Sequence, residues 1–285
     1  MEKLDMSLYV QSGEGANGCS YDLIGNPEVM VKMYNEGYDT NSIFVEQEVA
    51  RKVYELGIPS PEPGEMVTDG KRIGIRFKRI VGKRSYSRML ADEPERVGEF
   101  SREFARYCKN IHSVECPDGL FPDAKEQFLH LLDADRQFSA SQKKVFGDFI
   151  RNVPECTTAL HGDMHMGNAI STLGHGAPID SPHNVYFIDL GAAACGSQMW
   201  DLSMMMQFCV FATEDFIKDA LHIDKATALR SWEYFVDEYF DHKYTPEEAG
   251  NMLKPYVACK ELFIEFAAGF LPEHLQQLVR ETFNL

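Results

Sequence analysis

The most constraining feature of this 285-residue sequence is a change in residue pattern near position 82. Before that point, short runs of β-type residues alternate with glycine-containing turns. This pattern predicts strands over 8–10, 29–34, 65–68 and 73–80. A single helix is predicted among them, over 42–56, because apolar residues recur there with a period near 3.6.

After residue 82 the pattern is mostly helical. Helices are predicted over 94–112, 123–132, 139–150, 199–211, 225–241 and 246–268. Two short strand-like pieces, 168–171 and 185–190, are joined by a predicted Gly/Pro/Ser-rich hairpin over 173–184. We therefore expect an α+β chain with a small β-sheet lobe containing one helix, residues 1–82, and a larger, mostly helical lobe, residues 83–285.

The charge balance excludes several classes of partner. The chain has 28 Lys+Arg and 44 Asp+Glu, a formal net charge of −16, which repels nucleic acid and anionic bilayers. The longest nearly apolar run, 204–212, is much shorter than the roughly 18 residues that a membrane span requires. The N-terminal residues lack the basic and apolar regions of a signal peptide. We expect a cytoplasmic protein with neither nucleic acid nor membrane as a partner.

The cysteines point to the same compartment. Seven cysteines are scattered along the chain, and none of them forms a CxxC pair. This odd number and this spacing predict reduced thiols rather than a disulfide framework, and they argue against a zinc ribbon.

A glycine-rich segment follows the first predicted strand. Gly13, Gly15 and Gly18 form a GxGxxG pattern, in which the absence of side chains lets backbone N–H groups approach phosphate oxygens. A strand-like continuation over 19–23 favours a hairpin over the helix that a dinucleotide-binding turn would require. The pattern fits either a nucleotide-covering hairpin or a turn without any function.

Lys32 is a charged residue inside an otherwise apolar predicted strand. Such a cation requires an anion, and Glu48 in the following helix is the candidate that would hold it against nucleotide phosphates. Glu46 competes on sequence alone, although its helical position differs by two residues, and we expect it to face elsewhere. A lysine facing water at a sheet edge is the alternative.

The strongest chemical signal is the segment 160–168, LHGDMHMGN. Asp163 and Asn168 lie five residues apart in a polar loop, where a carboxylate can orient an attacking hydroxyl and an amide oxygen can bind Mg²⁺. Asp189 ends an apolar strand and is suited to a metal that bridges phosphates. Without such a role, Asp163 would cap a helix and Asp189 would simply end a strand.

Taken together, these motifs resemble the aminoglycoside phosphotransferase and choline kinase group, over most of the chain. Asp163 and Asn168 match the family's catalytic Asp and metal-binding Asn, and Asp189 begins a turn similar to DFG, with Leu for Phe. Lys32 and Glu48 match the phosphate-binding lysine and its helix partner. The resemblance implies a bilobal protein-kinase-like fold that uses ATP, or GTP, with Mg²⁺.

The resemblance also implies roles for residues outside the main motifs. Backbone groups of Lys78 and Ile80 would hold the nucleotide base, and Asp201 would fasten the catalytic loop from beneath. His165 stands where protein kinases have a lysine, and it is either near the transferred phosphoryl group or structural. We expect His161 to brace the loop. We expect His112 only to pack.

The acceptor is expected to be a small molecule. Only nine residues separate Gly191 from Asp201, too few for a segment that docks a peptide. Residues 83–285 carry 19 basic and 31 acidic residues, a net charge of −12, which favours a cationic or neutral acceptor. The residues Glu233, Asp237 and Asp241 share one helix face, which either receives such an amine or is a solvated surface.

We therefore predict a Mg²⁺-dependent phosphotransferase that moves the terminal phosphoryl group of ATP or GTP to a hydroxyl of an aminoglycoside, amino sugar or choline-like amine. A catalytically silent nucleotide-binding module of the same fold is one alternative. A metal-dependent hydrolase using His161, Asp163, His165 and Asp189 is another, although Gly162 and Gly167 disfavour the helix that such a zinc site requires.

Overall fold

The computed structural model describes residues 1–15, 17–136, 138–172, 184–268 and 272–284. The strands are β1 (Glu2–Lys3), β2 (Tyr9–Gly15), β3 (Gly18–Leu23), β4 (Val29–Tyr34), β5 (Pro63–Thr68), β6 (Ile73–Lys78), β7 (Arg84–Ser85), β8 (Thr158–Leu160), β9 (Ala169–Ser171), β10 (Val185–Phe187) and β11 (Ala194–Gly196). The α-helices are α1 (Thr40–Glu55), α2 (Tyr86–Asp92), α3 (Val97–His112), α4 (Ala124–Ala134), α5 (Ala140–Asn152), α6 (Met199–Met206), α7 (Glu214–Leu221), α8 (Lys225–Tyr239), α9 (Pro246–Ala268) and α10 (Glu273–Phe283).

The first part of the chain forms a six-stranded sheet with the order β1-β5-β6-β4-β3-β2. All neighbouring pairs are antiparallel except β1 with β5. The helix predicted over 42–56 is α1, and it begins two residues earlier because the Asp39 side chain accepts a hydrogen bond from the Ser42 N–H and caps it.

Alternation along β4 determines what each face of this sheet contacts. Val31 and Met33 point to one face, where they pack with Val67. Tyr34 points to the other face and packs with Ile43 of α1. Lys32, two residues before Tyr34, therefore lies on the face that α1 covers.

A second, three-stranded sheet has the order β10-β9-β7. Its pairing draws residues 168–192 into the first compact unit, which comprises Met1–Ser85 and Asn168–Ala192. The second unit comprises Tyr86–Gly167 and Ala193–Leu285. The predicted boundary at residue 82 thus differs from this division, because strand pairing between distant segments is not visible in chain order. The predicted hairpin over 173–184 lies outside the described residues, apart from Asn184.

The second unit is built mainly from helices that the apolar periodicity predicts. Its main core packs Phe128 against Trp200, with ring centroids 4.2 Å apart, together with Phe146 and Ile150. The helix predicted over 199–211 is α6 followed by a π-helical turn, Gln207–Phe211. The helices α2, α7 and α10 were not predicted. Within the described residues, none of the helices combines the length and apolarity needed to cross a membrane.

Cysteine pairing differs from the sequence prediction. Cys116 and Cys195 form a disulfide, with their Cα atoms 6.1 Å apart, although they are 79 positions apart in sequence. Cys195 belongs to β11, which pairs with β8, and the Cys116 N–H donates to the Thr157 carbonyl oxygen just before β8. The expectation of reduced thiols is wrong for this pair, because tertiary folding joins two cysteines that are far apart in sequence.

An acidic side chain of α9 is buried inside the helical unit. Glu261 of α9 is fully buried, and neither carboxyl oxygen has a hydrogen-bond partner among the described residues. Burial raises the pKa of Glu261 to about 8, and only the nearby Gln207 side chain opposes this shift. The carboxyl group is therefore largely neutral near pH 7.

We expect a thiol reductant to lower the melting temperature of the wild-type protein by about 5 °C or more, since a disulfide typically contributes about 2–4 kcal/mol. The Cys116→Ser variant should melt at the lower temperature with or without reductant. Cys156→Ser is the matched control, because Cys156 is a free thiol, and it should respond like the wild type. A wild-type melting temperature that does not change on reduction would contradict the disulfide.

We expect Glu261→Gln to change how stability depends on pH. The folded-state pKa of Glu261 is raised above the unfolded value, so the stability that comes from its neutral form is complete below about pH 4.5 and is lost as pH rises through 8. The variant's melting temperature should therefore exceed that of the wild type by a margin that widens between pH 5 and pH 9. The exposed Glu247→Gln on the same helix should show no such widening.

Candidate active site

Lys32 is held by two carboxylates within the first unit. Its ammonium nitrogen lies 2.7 Å from Glu46 Oε1 and 2.8 Å from Asp189 Oδ1. Burial acts to lower the pKa of Lys32, but the two carboxylates raise it above its ordinary value, and the side chain stays charged. The structure thus confirms a lysine with an acidic partner in α1, and it adds Asp189 as a second partner.

The predicted partner Glu48 is wrong. Glu46 lies three residues after Ile43 and seven before Val53, on the buried face of α1, whereas Glu48 faces away and pairs with Arg51. Phe44 and Val45 are 53% and 56% exposed, so they do not belong to the buried face of α1. A face defined by Ile43, Val49 and Val53 alone would have identified Glu46.

Asn168 and Asp189 lie at the same end of the antiparallel β9–β10 pair. The register pairs Ala169 with Phe187, and the Ile188 N–H donates to the Asn168 carbonyl oxygen over 2.9 Å. Asp189 adopts a left-handed backbone with φ 60°, and its side chain is 49% exposed. Amide and carboxylate oxygens are the ligands that Mg²⁺ prefers, so this pair fits the predicted metal site.

The turn after Asp189 packs against α1. A Cβ atom at Gly191 would lie 3.1 Å from the Cγ of Glu46, which is closer than most real contacts. The glycine therefore lets the turn approach the acidic residue that holds Lys32.

The three glycines of the GxGxxG pattern lie in the β2–β3 hairpin, which confirms a hairpin rather than a strand-to-helix turn. Gly18 has a packing reason, because a Cβ there would lie 2.1 Å from the Met33 carbonyl oxygen of β4. Gly13 and Gly15 have room for a Cβ at ordinary contact distances. Their role toward phosphates stays a prediction.

Lys78 ends β6, and Ile80 follows it outside any strand. The Lys78 N–H donates to the Glu62 carbonyl oxygen, and the Arg79 N–H donates to the Glu28 carbonyl oxygen. The N–H of Lys78 is therefore already bonded within the first unit. The base-binding role of both residues stays a prediction.

In the second unit, β8 leads directly into the loop that carries Asp163. The Asp163 side chain is 37% exposed, and its Oδ2 lies 3.7 Å from His165 Nε2. Burial acts to raise the pKa of Asp163, but His165, His161 and Lys260 outweigh it and hold the pKa well below its ordinary value. The carboxylate is therefore ionised throughout the neutral pH range.

Both histidines of the loop accept hydrogen bonds from backbone N–H groups. His165 Nδ1 accepts from Gly167 over 3.0 Å, and His161 Nδ1 accepts from Asp163 over 3.3 Å. A ring nitrogen that accepts carries no hydrogen, so His165 carries its hydrogen on Nε2, the atom that faces Asp163. This geometry supports the predicted bracing role of His161. It places His165 beside Asp163 and stacks it on Phe208 of the π-helical turn, with ring centroids 4.4 Å apart.

Asp201, at the start of α6, anchors this loop from a fully buried position. Its Oδ2 accepts from the His161 N–H over 2.7 Å, and its Oδ1 accepts from the Gly162 N–H over 2.8 Å. The predicted fastening role of Asp201 is therefore seen directly. Asp201 also contradicts the packing-only role of His112, because His112 Nε2 lies 3.1 Å from Oδ2 of the carboxylate, and His112 Nδ1 lies 2.7 Å from the Tyr239 hydroxyl.

The acidic face of α8 pairs with α3. Asp237 lies 3.2 Å from Arg102, Glu238 lies 3.2 Å from Arg106, and Asp241 contacts Lys109. The spacing of these basic residues places them on one side of α3. Asp237 and Glu238 therefore join α8 to α3, while Asp241, which follows α8, is 62% exposed and pairs with Lys109. That this face receives an amine stays a prediction.

The comparisons with known proteins agree with this arrangement. A family model described as "Phosphotransferase enzyme family" matches residues 15–235. A comparison with curated protein sequences finds no match.

Similar solved structures cover nearly the whole chain. A thermostable mutant of aminoglycoside phosphotransferase APH(4)-Ia in a ternary complex with ADP and hygromycin B has a TM-score of 0.60 and 12% identity, covering 95% of this chain and 93% of that one. Choline kinase LicA from Streptococcus pneumoniae has a TM-score of 0.54 and 13% identity, covering 100% and 93%. Aminoglycoside phosphotransferase APH(3'')-Id from Streptomyces rimosus, in complex with ADP and streptomycin, has a TM-score of 0.54 and 13% identity, covering 95% and 92%.

These structures confirm the predicted α+β, protein-kinase-like fold. The family model spans well over half of the chain, and the HGDMHMGN loop lies inside the matched region. The chain therefore belongs to the phosphotransferase enzyme family.

Proposed function

We propose that the protein transfers the terminal phosphoryl group of ATP to a hydroxyl of a small molecule with the help of Mg²⁺. The observation that carries this proposal is the pair of carboxylates on Lys32, because a charged lysine at Glu46 and Asp189 is suited to phosphate oxygens. Two of the similar structures are complexes with ADP, which supports an adenine nucleotide, and GTP is the other donor to test.

Asn168 and Asp189 would hold the metal. When bound, Mg²⁺ would neutralise charge on the phosphates, and each of these two side chains would supply it with an oxygen ligand. No group of three or more His, Cys, Asp and Glu residues suited to a metal occurs among the described residues, so no zinc hydrolase is proposed.

Asp163 would accept a hydrogen bond from the acceptor hydroxyl and orient it. Its lowered pKa makes it a weak base, which suits orientation more than early proton removal. A loose phosphoryl transition state places little demand on base strength, and alignment and charge neutralisation provide most of the catalysis.

The acceptor would be cationic or neutral. The similar proteins include enzymes named for aminoglycosides and for choline, all of which are hydroxyl compounds carrying amines. The net charge of −12 over residues 83–285 favours the same class through long-range attraction. A cytoplasmic location, where ATP is available, belongs to this proposal.

The proposal is tested by incubating the wild-type protein with a library of hydroxyl compounds and measuring Mg²⁺-dependent nucleotide consumption. Consumption with at least one acceptor, abolished by removing Mg²⁺, is expected. Nucleotide binding without turnover on any library member would favour the silent module instead.

Asp163→Asn should reduce kcat by about 10²–10⁴-fold, because the amide cannot accept and hold the hydroxyl as the carboxylate does. Nucleotide binding, followed by the thermal shift that ATP produces, should stay close to that of the wild type. An Asp163→Asn enzyme with wild-type turnover would remove Asp163 from the reaction.

Glu46→Gln should weaken phosphate positioning and lower kcat/KM for ATP by about tenfold, since Lys32 loses one of its two charged partners. Glu48→Gln, two residues away on the same helix, is the matched control, and it should leave kcat/KM unchanged because Glu48 pairs with Arg51. Equal effects of the two substitutions would contradict the assignment of Glu46.

A further inference from the structure

Lys260 is a buried lysine that none of the sequence motifs includes. It belongs to α9, and its side chain is almost fully enclosed. Its ammonium donates to the carbonyl oxygen of Gly162 over 2.7 Å and lies 5.6 Å from the centroid of the Phe128 ring. A buried lysine is rare unless its charge is paired, so this position requires a specific reason.

The Gly162 residue that Lys260 contacts is held on both sides. Asp201 accepts a hydrogen bond from its N–H over 2.8 Å, and Lys260 donates to its carbonyl oxygen. Gly162 has φ +84°, a backbone conformation that residues with side chains rarely adopt. The Asp201 carboxylate of α6 and the Lys260 ammonium of α9 therefore hold the two backbone polar groups of Gly162. Rotation of the backbone at Gly162 would redirect the next residue, Asp163.

The charges around Lys260 are consistent with these two contacts to Gly162. Burial lowers the pKa of Lys260, and Asp201 and Asp163 act in the opposite direction by favouring the ammonium. The adjacent Glu261 contributes little, because its raised pKa leaves it largely neutral near pH 7. His112 and His161 complete the set of titratable partners that hold Asp201 ionised. The positive charge of Lys260 is thus balanced by Asp163 of the loop and Asp201 of α6, rather than by an acidic residue of its own helix.

We propose that Lys260 is a positioning residue for phosphoryl transfer, fixing the Gly162 carbonyl so that Asp163 presents its carboxylate to the acceptor hydroxyl. This inference rests on the proposed function for its kinetic consequence, but not for the loop geometry. Without the ammonium, the part-buried Gly162 carbonyl loses its charged donor, and the peptide can rotate. Because small displacements of a reacting group can cost about 10²-fold in rate, a loss of position should appear in kcat.

The test uses Lys260→Met, which fills the same space without a donor, and Lys254→Met on the same helix as the matched control. Amide hydrogen exchange of a peptide covering 158–166 is measured first, since it does not depend on turnover. We expect exchange at the Asp163 amide, which shares a peptide unit with the Gly162 carbonyl and donates to His161 Nδ1, to be at least tenfold faster in Lys260→Met and unchanged in Lys254→Met. Kinetics with the acceptor found for the wild type should show kcat lowered by about 10²-fold and KM for ATP within twofold.

The outcomes separate the two proposals. Unchanged exchange in a folded Lys260→Met protein overturns the positioning role, as does faster exchange with a wild-type kcat. If the wild-type protein transfers no phosphoryl group, the proposed function is overturned. Faster exchange in Lys260→Met would then still support the contact between Lys260 and Gly162.

If Lys260→Met does not fold, Lys260→Gln replaces it, because Gln places a polar amide rather than an apolar group at this position. Gln carries no charge and is one atom shorter than lysine, so it should hold the Gly162 carbonyl less firmly. The same rise in exchange and fall in kcat are therefore expected. Wild-type exchange and kcat in Lys260→Gln would overturn the proposal.

Discussion

The second unit depends on one buried carboxylate. Asp201 receives the N–H groups of His161 and Gly162 and also contacts the His112 ring, so three separate segments meet at two oxygen atoms. Burial acts to raise its pKa, yet the surrounding histidines and Lys260 keep it lowered and the group charged. His112 of α3 also contacts the Tyr239 hydroxyl of α8. Removing one member of a buried charged network leaves the others unpaired, so we expect the loop conformation and the packing of α3, α6 and α8 to depend on one another.

Charge compensation also organises the rest of the molecule. A net charge of −16 is a poor guide to any single site, because the acidic residues on α8 are paired with basic residues on α3. Lys32 is shared by Glu46 and Asp189, and this cluster keeps a net negative charge suited to a cation. Local pairing decides which charged side chains are available to a ligand, whereas the total charge acts only through long-range attraction.

Prediction from sequence succeeded where the signal was local. The strand over 29–34 and the helices in the second half follow from periodicity, because burial on one face leaves a regular trace in the chain. Prediction failed where a partner came from elsewhere. His112 lies on an apolar helix and has no local sign of Asp201, while Cys116 and Cys195 are separated by 79 positions and carry no motif.

The amino-acid sequence alone determined the α+β division, the HGDMHMGN loop and the residue types available for phosphoryl transfer, since these depend on short-range pattern and composition. Tertiary structure decided that Glu46 rather than Glu48 holds Lys32, that Asp189 also pairs with Lys32, and that Lys260 reaches Gly162 of the HGDMHMGN loop. The physical reason is that partner choice depends on which helix face is buried and on contacts between segments far apart in the chain, and neither has a short-range signature.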